Sequence, residues 1–165
     1  MAITVRNATE NDITAILEIV NHAILHTTAI YDYDARTVVQ QQQWFSDKNS
    51  VGDPVVVAEV DGRVAGFGTY GSFRVKVAYR HTVEHSVYVS DGFKGRGIGK
   101  LLLETLISRA SMQGHHVMIG CIDAENTGSI AFHEKFGFEV TGTLREVGFK
   151  FGRWLDLVMM QLILK

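Results

Sequence analysis

Glu84 and the loop that follows it carry the chemistry this chain can do. Glu84 stands in Thr82 to Val89, a stretch that alternates cleanly. Val83, His85, Val87 and Val89 point one way, and Thr82, Glu84, Ser86 and Tyr88 the other, which is the period of a β-strand. Directly after it comes Lys94-Gly95-Arg96-Gly97-Ile98-Gly99-Lys100, a glycine-rich basic loop opening an apolar-periodic helix. A strand, a loop of free backbone amides and a helix N-terminus form an anion site, because unpaired N–H groups and the helix dipole favour negative charge. The amides of Gly95, Gly97, Ile98, Gly99 and Lys100 can wrap a pyrophosphate, and the glycines let the backbone come close. Together these features point to a phosphate-bearing cofactor held beside a general base. On spacing alone Glu84 is equally a member of a solvated sheet face or half of a salt bridge.

Two familiar phosphate loops do not fit. A dinucleotide fingerprint read from Gly97 has Leu102 in place of its third glycine. A nucleoside-triphosphate loop ending at Gly99-Lys100 has Lys94 where its first glycine belongs and Leu101 where the Mg²⁺-binding hydroxyl belongs. His115-His116 has no credible set of further ligands, so no metal is expected, and Cys121 in an apolar stretch reads as structural.

The elements that must position these residues read as one domain over residues 1–165. Ile3 to Arg6 is a short strand, and Thr9 with Asp12 caps a helix carrying Ile13, Ile16, Leu17, Val20 and Ile24. His26 to Arg36 is an aromatic-bearing loop; Thr37 with Gln40 caps a short helix through Trp44 and Phe45, and 47–54 reads as a surface connection. Val55 to Glu59 and Val64 to Tyr70 are strands joined by Asp61-Gly62, a hairpin signal. Gly66, Gly68 and Gly71 suggest a bulge or a closely approaching ligand in the second of them. After the Glu84 strand come a helix to Gly114, a buried strand His116 to Ile122, and a helix Ser129 to Phe136. A strand Phe138 to Leu144, a loop 146–153 and an apolar strand Trp154 to Leu164 close the chain. That order predicts an α/β fold with a central mixed, mostly antiparallel sheet flanked by helices.

The formal charge of −2 argues against broad nucleic-acid or anionic-membrane binding. One cysteine allows no internal disulfide, and no apolar run is long enough to span a bilayer, so the expected location is cytoplasmic.

Lys94-Gly95-Arg96-Gly97-Ile98-Gly99 resembles the acyl-CoA loop of the GNAT-family N-acetyltransferases, Arg/Gln-x-x-Gly-x-Gly/Ala, with Lys94 in the first place. Asn126 followed by SIAFHEKFGF resembles that family's second signature, and TVEHSVYVS with GFKFGRWLDLVMMQL is similar to its phosphinothricin and methionine sulfoximine acetyltransferase branch. The resemblance covers nearly the whole chain and implies the GNAT acyl-CoA N-acyltransferase fold. It also implies acetyl-CoA as donor and acetylation of the α-amino group of a small amino-acid-like substrate. Cofactor contacts would fall to Val87, Tyr88, Val89, Gly95, Arg96, Gly97, Ile98, Gly99, Lys100 and Asn126. Glu84 would be the base, His133 the acid (or a histidine satisfying a core hydrogen bond), and an amide near Val89 the oxyanion donor. Arg74, Val75, Lys76, Glu84, His85 and Ser86 would meet the acceptor, with Tyr31, Phe73 and Tyr79 as possible walls; without the resemblance, Arg74 and Lys76 read as ordinary surface cations. The branch further implies a homodimer. An acetyltransferase of protein N-termini and a non-catalytic acyl-CoA sensor are the alternatives.

Overall fold

The computed structural model describes residues 2–165. Seven strands form one sheet in the order β1-β2-β3-β4-β5-β7-β6. They are β1 Ile3–Asn7, β2 Val55–Val60, β3 Arg63–Ser72, β4 Thr82–Val89, β5 Val117–Asp123, β6 Glu139–Lys150 and β7 Arg153–Ile163. Every pairing is antiparallel except β4 with β5, so the mixed, mostly antiparallel sheet expected from the sequence is present. The helices are α1 Ile13–His26, α2 Val38–Val51, α3 Ile98–Met112 and α4 Thr127–Glu134.

Strand alternation sends successive side chains to opposite faces, and both faces are covered. Val57 and Phe67 bury against Ile16, Ile24 and Phe45 of α1 and α2. Val56, Val83, Met118 and Met160 bury with Leu102 and Leu106 of α3. Gly66 and Gly68 of β3 serve this second core, and the β2–β3 register shifts beside Gly66, whereas Gly71 faces Lys48 and Asp53. A Cβ at Gly66 would lie 2.7 Å from Tyr88 O, and one at Gly68 3.0 Å from Leu106 Cδ1. The Asp61-Gly62 hairpin turns with both residues at positive φ, 49° and 75°, as its sequence demands.

Two segments differ from expectation. The second helix does not end near Phe45 but runs on to Val51, where Gly52 at φ 78° caps it and Asp53 N–H returns to Lys48 O (3.0 Å). The stretch 146–153 is strand rather than loop as far as Lys150. After an irregular step at 145–147, where Glu146 has φ 56°, Gly148 to Lys150 pair with β7, and the tight reversal is left to Phe151-Gly152, both at positive φ.

That hairpin carries a buried cation. Lys150, 3% exposed, donates to Ile24 O (2.6 Å), Thr27 O (2.8 Å) and Ile30 O (2.6 Å). All three ammonium protons are used. They satisfy carbonyls at the α1 C-terminus and pin the start of the loop between α1 and α2. Lys150→Met keeps the bulk and orphans these carbonyls, and should cost at least about 3 kcal/mol, roughly 6–12 °C of melting temperature for a chain of this size. Calorimetry checks this; a melting point within about 2 °C of the parent would show that the clamp contributes little.

Candidate active site

The site begins where one ladder stops. β4 pairs with β3 along its length, from Val83↔Ser72 to Val89↔Gly66. Its pairing with β5 ends at Glu84↔Ile119, although β4 continues to Val89 and β5 to Asp123. The two strands part into a fork with a free backbone edge on 85–89. An extended chain with its own amides and carbonyls can lie along such an edge as an added strand. A cavity of about 100 Å³ occupies the fork, lined by Val87 and Tyr88, by Cys121 and Asp123, and by Asn126, Ser129 and His133 at α4. A second hollow of about 480 Å³ follows the end of β4 past Val89, Asp91 and Lys94 to Asn126.

Beyond β4 the chain makes a single 3₁₀ turn at Asp91–Phe93 and enters α3. Gly97 is the N-cap at φ 79°, and no side chain caps the helix. The first helical bond is Leu101 N–H to Gly97 O (3.2 Å), which leaves the amides of Ile98, Gly99 and Lys100 for an anion. At Gly95 (φ 76°) and Gly97 an added Cβ would meet nothing within 4 Å, so it is backbone conformation that calls for glycine there. Lys94 is ion-paired with Asp91 (2.5 Å), which also holds His22 of α1 (2.8 Å). Arg96 packs over Phe93.

On the α1/α2 side of the fork, β4 presents Glu84, Ser86 and Tyr88, and β5 presents Cys121 and Asp123. Glu84 is exposed, and the Cys121 thiol donates to its Oε1 (3.4 Å). Burial, reinforced by the Glu84 charge, pushes that thiol up to about 12. The loop after α1 folds over this face. Thr28 Oγ1 donates to Asp123 Oδ2 (2.7 Å) and the Tyr31 hydroxyl to Asp123 Oδ1 (3.1 Å). Burial and the Asp123 carboxylate push the Tyr31 phenol well above its ordinary range. Lys48 donates to Tyr70 O (2.9 Å) and lies within electrostatic reach of Asp53 and Glu84 while burial draws its pKa down. Thr28, Asp123 and Lys48 were not among the residues expected from sequence. Asp123 carried one signal, a carboxylate ending a buried strand.

The residues expected to meet the acceptor do not all gather here. His85 is the clear departure. Strand alternation places it on the face opposite Glu84, where it is 6% exposed and engaged with Ile119 O and His133. His133 Nε2 meets His85 Nε2 (2.9 Å) and its Nδ1 lies 2.7 Å from Ser129 O, so neither ring nitrogen is directed at the cavity as an acid would be. Burial lowers both histidines, His85 to about 3. Arg74, Val75 and Lys76 lie in the exposed loop after β3; Arg74 stacks on Phe73 (5.0 Å), itself edge-on to Tyr79, and Val75 is 100% exposed. Among the described residues no group of three or more His, Cys, Asp or Glu is arranged to hold a metal ion.

Comparison with known proteins bears on the same segments. The model of the acetyltransferase (GNAT) domain matches residues 5–159. The chain belongs to the GNAT acetyltransferase family. It is 44% identical over 163 residues to an L-methionine sulfoximine/L-methionine sulfone acetyltransferase of Pseudomonas aeruginosa, covering 98% of this chain and 95% of the relative. The crystal structure of a phosphinothricin acetyltransferase from Sinorhizobium meliloti in complex with acetyl-CoA superimposes with a TM-score of 0.96 at 38% identity, over 99% of this chain and 89% of that one. That of a ribosomal-protein-alanine N-acetyltransferase from Brucella melitensis has the same TM-score at 46% identity, over 98% and 99%.

For this GNAT acetyltransferase the Cys121–Glu84 contact gives a chemical probe of the site. A thiol held near 12 has almost no thiolate at pH 8. Disulfide-exchange reagents should therefore modify Cys121 at least about tenfold more slowly than free cysteine. Glu84→Gln removes a charge that disfavours the thiolate and should speed the reaction. A wild-type rate equal to free cysteine, or no acceleration in the variant, would contradict this geometry.

Proposed function

We propose that this chain transfers the acetyl group of acetyl-CoA to the α-amino group of a small amino-acid-like acceptor, of the methionine sulfoximine, methionine sulfone or phosphinothricin type, with Glu84 as general base. One observation carries this reading: the β4–β5 fork has Glu84 at its closed end and an uncapped, glycine-led helix N-terminus past its open end. The residues present suit the donor. The free edge at Val87 and Val89 offers strand-like pairing to a pantetheine arm, Asn126 lines the same cavity, and the amides of 95–100 suit a pyrophosphate. Bound there, acetyl-CoA supplies the thioester carbonyl that the amine attacks.

A free α-amino group is mostly protonated below a pH of about 8, so a carboxylate in reach of it, directly or through water, accelerates the reaction by taking that proton. Glu84 is exposed toward the acceptor face and has this role. A Val89 amide is the donor for the developing oxyanion. No group need protonate the leaving sulfur, because a thiol is acidic enough to depart as thiolate. Arg74 and Lys76, which stand on the exposed loop after β3, are assigned by the family resemblance to the acceptor's carboxylate.

The names of the relatives favour a small acceptor, and so does the structure: Thr28 and Tyr31, tied to Asp123, draw the α1–α2 loop over the acceptor face. The Brucella protein's name favours a second reading, acetylation of protein N-termini, which calls for a groove open to a polypeptide. A non-catalytic acyl-CoA sensor would have no use for Glu84. We place the enzyme in the cytoplasm, in detoxification or resistance; among the described residues no helix is long and apolar enough to cross a membrane. A second copy completes the assembly. The β6–β7 hairpin exposes Val147, Phe149, Phe151 and Trp154, the last 63% exposed, and Tyr33 lies over it, bonded to Phe149 O. An apolar patch of this kind marks an interface.

A thiol-release assay with acetyl-CoA against amino acids, their sulfoximines and short peptides tests the function. Release with sulfoximine or sulfone and little with peptides is expected; CoA binding with no release from any amine would sink the enzyme. Glu84→Gln should lower turnover by about 10²-fold or more, most severely at low pH, where the amine is hardest to deprotonate; unchanged activity across pH would remove Glu84 from the mechanism. Arg74→Ala should raise KM for a free amino acid more than for its methyl ester, and equal effects would count against carboxylate recognition.

A further inference from the structure

The His85–His133 pair lines the fork, is buried, and has no part in the proton transfer assigned to Glu84. The last residue of β5 paired with β4 is Ile119, and its carbonyl accepts from His85 Nδ1 (3.0 Å). The imidazole thus sits at the vertex, at the point where the ladder gives out. His85 Nε2 then meets His133 Nε2 (2.9 Å), which ties β4 to α4. Phe138 packs against both rings (5.4 and 5.2 Å) and Phe132 against His133 (5.3 Å). Gly120 makes room: a Cβ there would lie 3.0 Å from His85 Cε1 and 3.7 Å from His133 Cδ2. A side chain at 120 would crowd the His85 ring against its present seat.

A carbonyl only accepts, so His85 donates from Nδ1 to Ile119 O and His133 from Nδ1 to Ser129 O (2.7 Å), and each ring is held at that nitrogen by the backbone of a neighbouring element. The two Nε2 atoms meet at 2.9 Å among the aromatic rings. Ser129 lies one turn into α4, whose N-cap is Asn126, and both line the fork cavity.

We propose that His85, locked by His133, is a positioning residue that ends the β4–β5 ladder and holds the fork open for the acyl donor. This rests on the reading of the fork as the donor site. His85 does not touch the reacting atoms; it acts through the strand edge and through α4. Without the imidazole, Ile119 O is free to take a β4 amide and the strands can pair further, closing the edge that the donor needs.

The test uses the whole protein. His85→Leu removes both hydrogen bonds, and His85→Asn keeps a donor in the place of Nδ1. Acetyl-CoA affinity by calorimetry should fall about tenfold or more in His85→Leu, with KM for acetyl-CoA raised and acceptor KM held within about twofold. His85→Asn should recover most of the affinity. Wild-type affinity in a folded His85→Leu would overturn the proposal. Should His85→Leu fail to fold, ¹⁵N NMR of the unliganded wild type decides: a slowly exchanging His85 Nδ1–H is expected, and an unprotonated His85 Nδ1 would overturn it. If the wild type itself binds no acetyl-CoA, the donor-site reading fails, while the NMR result still reports on the pair.

Discussion

The parting of β4 from β5 is the constraint on which the site depends. Inside a sheet every backbone amide and carbonyl is expected to find a partner, since a buried unpaired one costs about as much as a lost hydrogen bond. Here the ladder ends at Glu84 while both strands run on. An edge left open in the interior of a seven-stranded sheet is therefore a place for a ligand's backbone-like groups. It also divides β4 into three working surfaces. One face carries Glu84 toward the acceptor side, the other buries Val83 and His85 against α3 and α4, and the free edge lies between them.

Polar tethers, rather than apolar packing, hold the acceptor side in place. The loop after α1 has little to bury, and its position is set from two directions. Lys150 draws Thr27 O and Ile30 O toward the β6–β7 hairpin, and Asp123 draws the Thr28 and Tyr31 side chains toward β5. Tyr31 also packs over Gly148, where a Cβ would approach its ring to 2.7 Å. Burying an ammonium is costly unless every proton is matched, and the three carbonyls on Lys150 supply that match. A loop fixed by hydrogen bonds keeps its geometry while leaving its upper surface free for a substrate.

What the sequence disclosed and what it withheld divide along physical lines. Period-two alternation made β4 legible, and the glycines at 95, 97 and 99 made the anion loop legible, because both are local properties of the chain. The same alternation already put His85 opposite Glu84; grouping it with the acceptor contacts set family likeness above strand geometry. The β6–β7 hairpin is hard to read from sequence because Glu146, Gly148, Lys150 and Gly152 give 146–153 the look of a polar, glycine-bearing loop. The ties from Lys150 to α1 and from Asp123 to Thr28 and Tyr31 span long stretches of chain. No local pattern encodes such contacts, and they are the ones that complete the site.

This division also bears on how relatives with such similar folds come to carry names that differ in acceptor. On the reading proposed above, the donor half of the site would be made largely of backbone: the free edge of β4, the amides at the α3 N-terminus, and the glycines whose positive φ shapes that loop. Side-chain substitution barely alters such a surface, provided φ at Gly95 and Gly97 and the space at Gly120 are kept. On the same reading the acceptor half would be made of side chains on a loop and two strands, at Thr28, Tyr31, Glu84, Ser86, Cys121 and Asp123. A change at any of these reshapes the pocket without disturbing the sheet. Relatives that share an acetyl donor in name and differ in the named acceptor are what such a division of atoms allows.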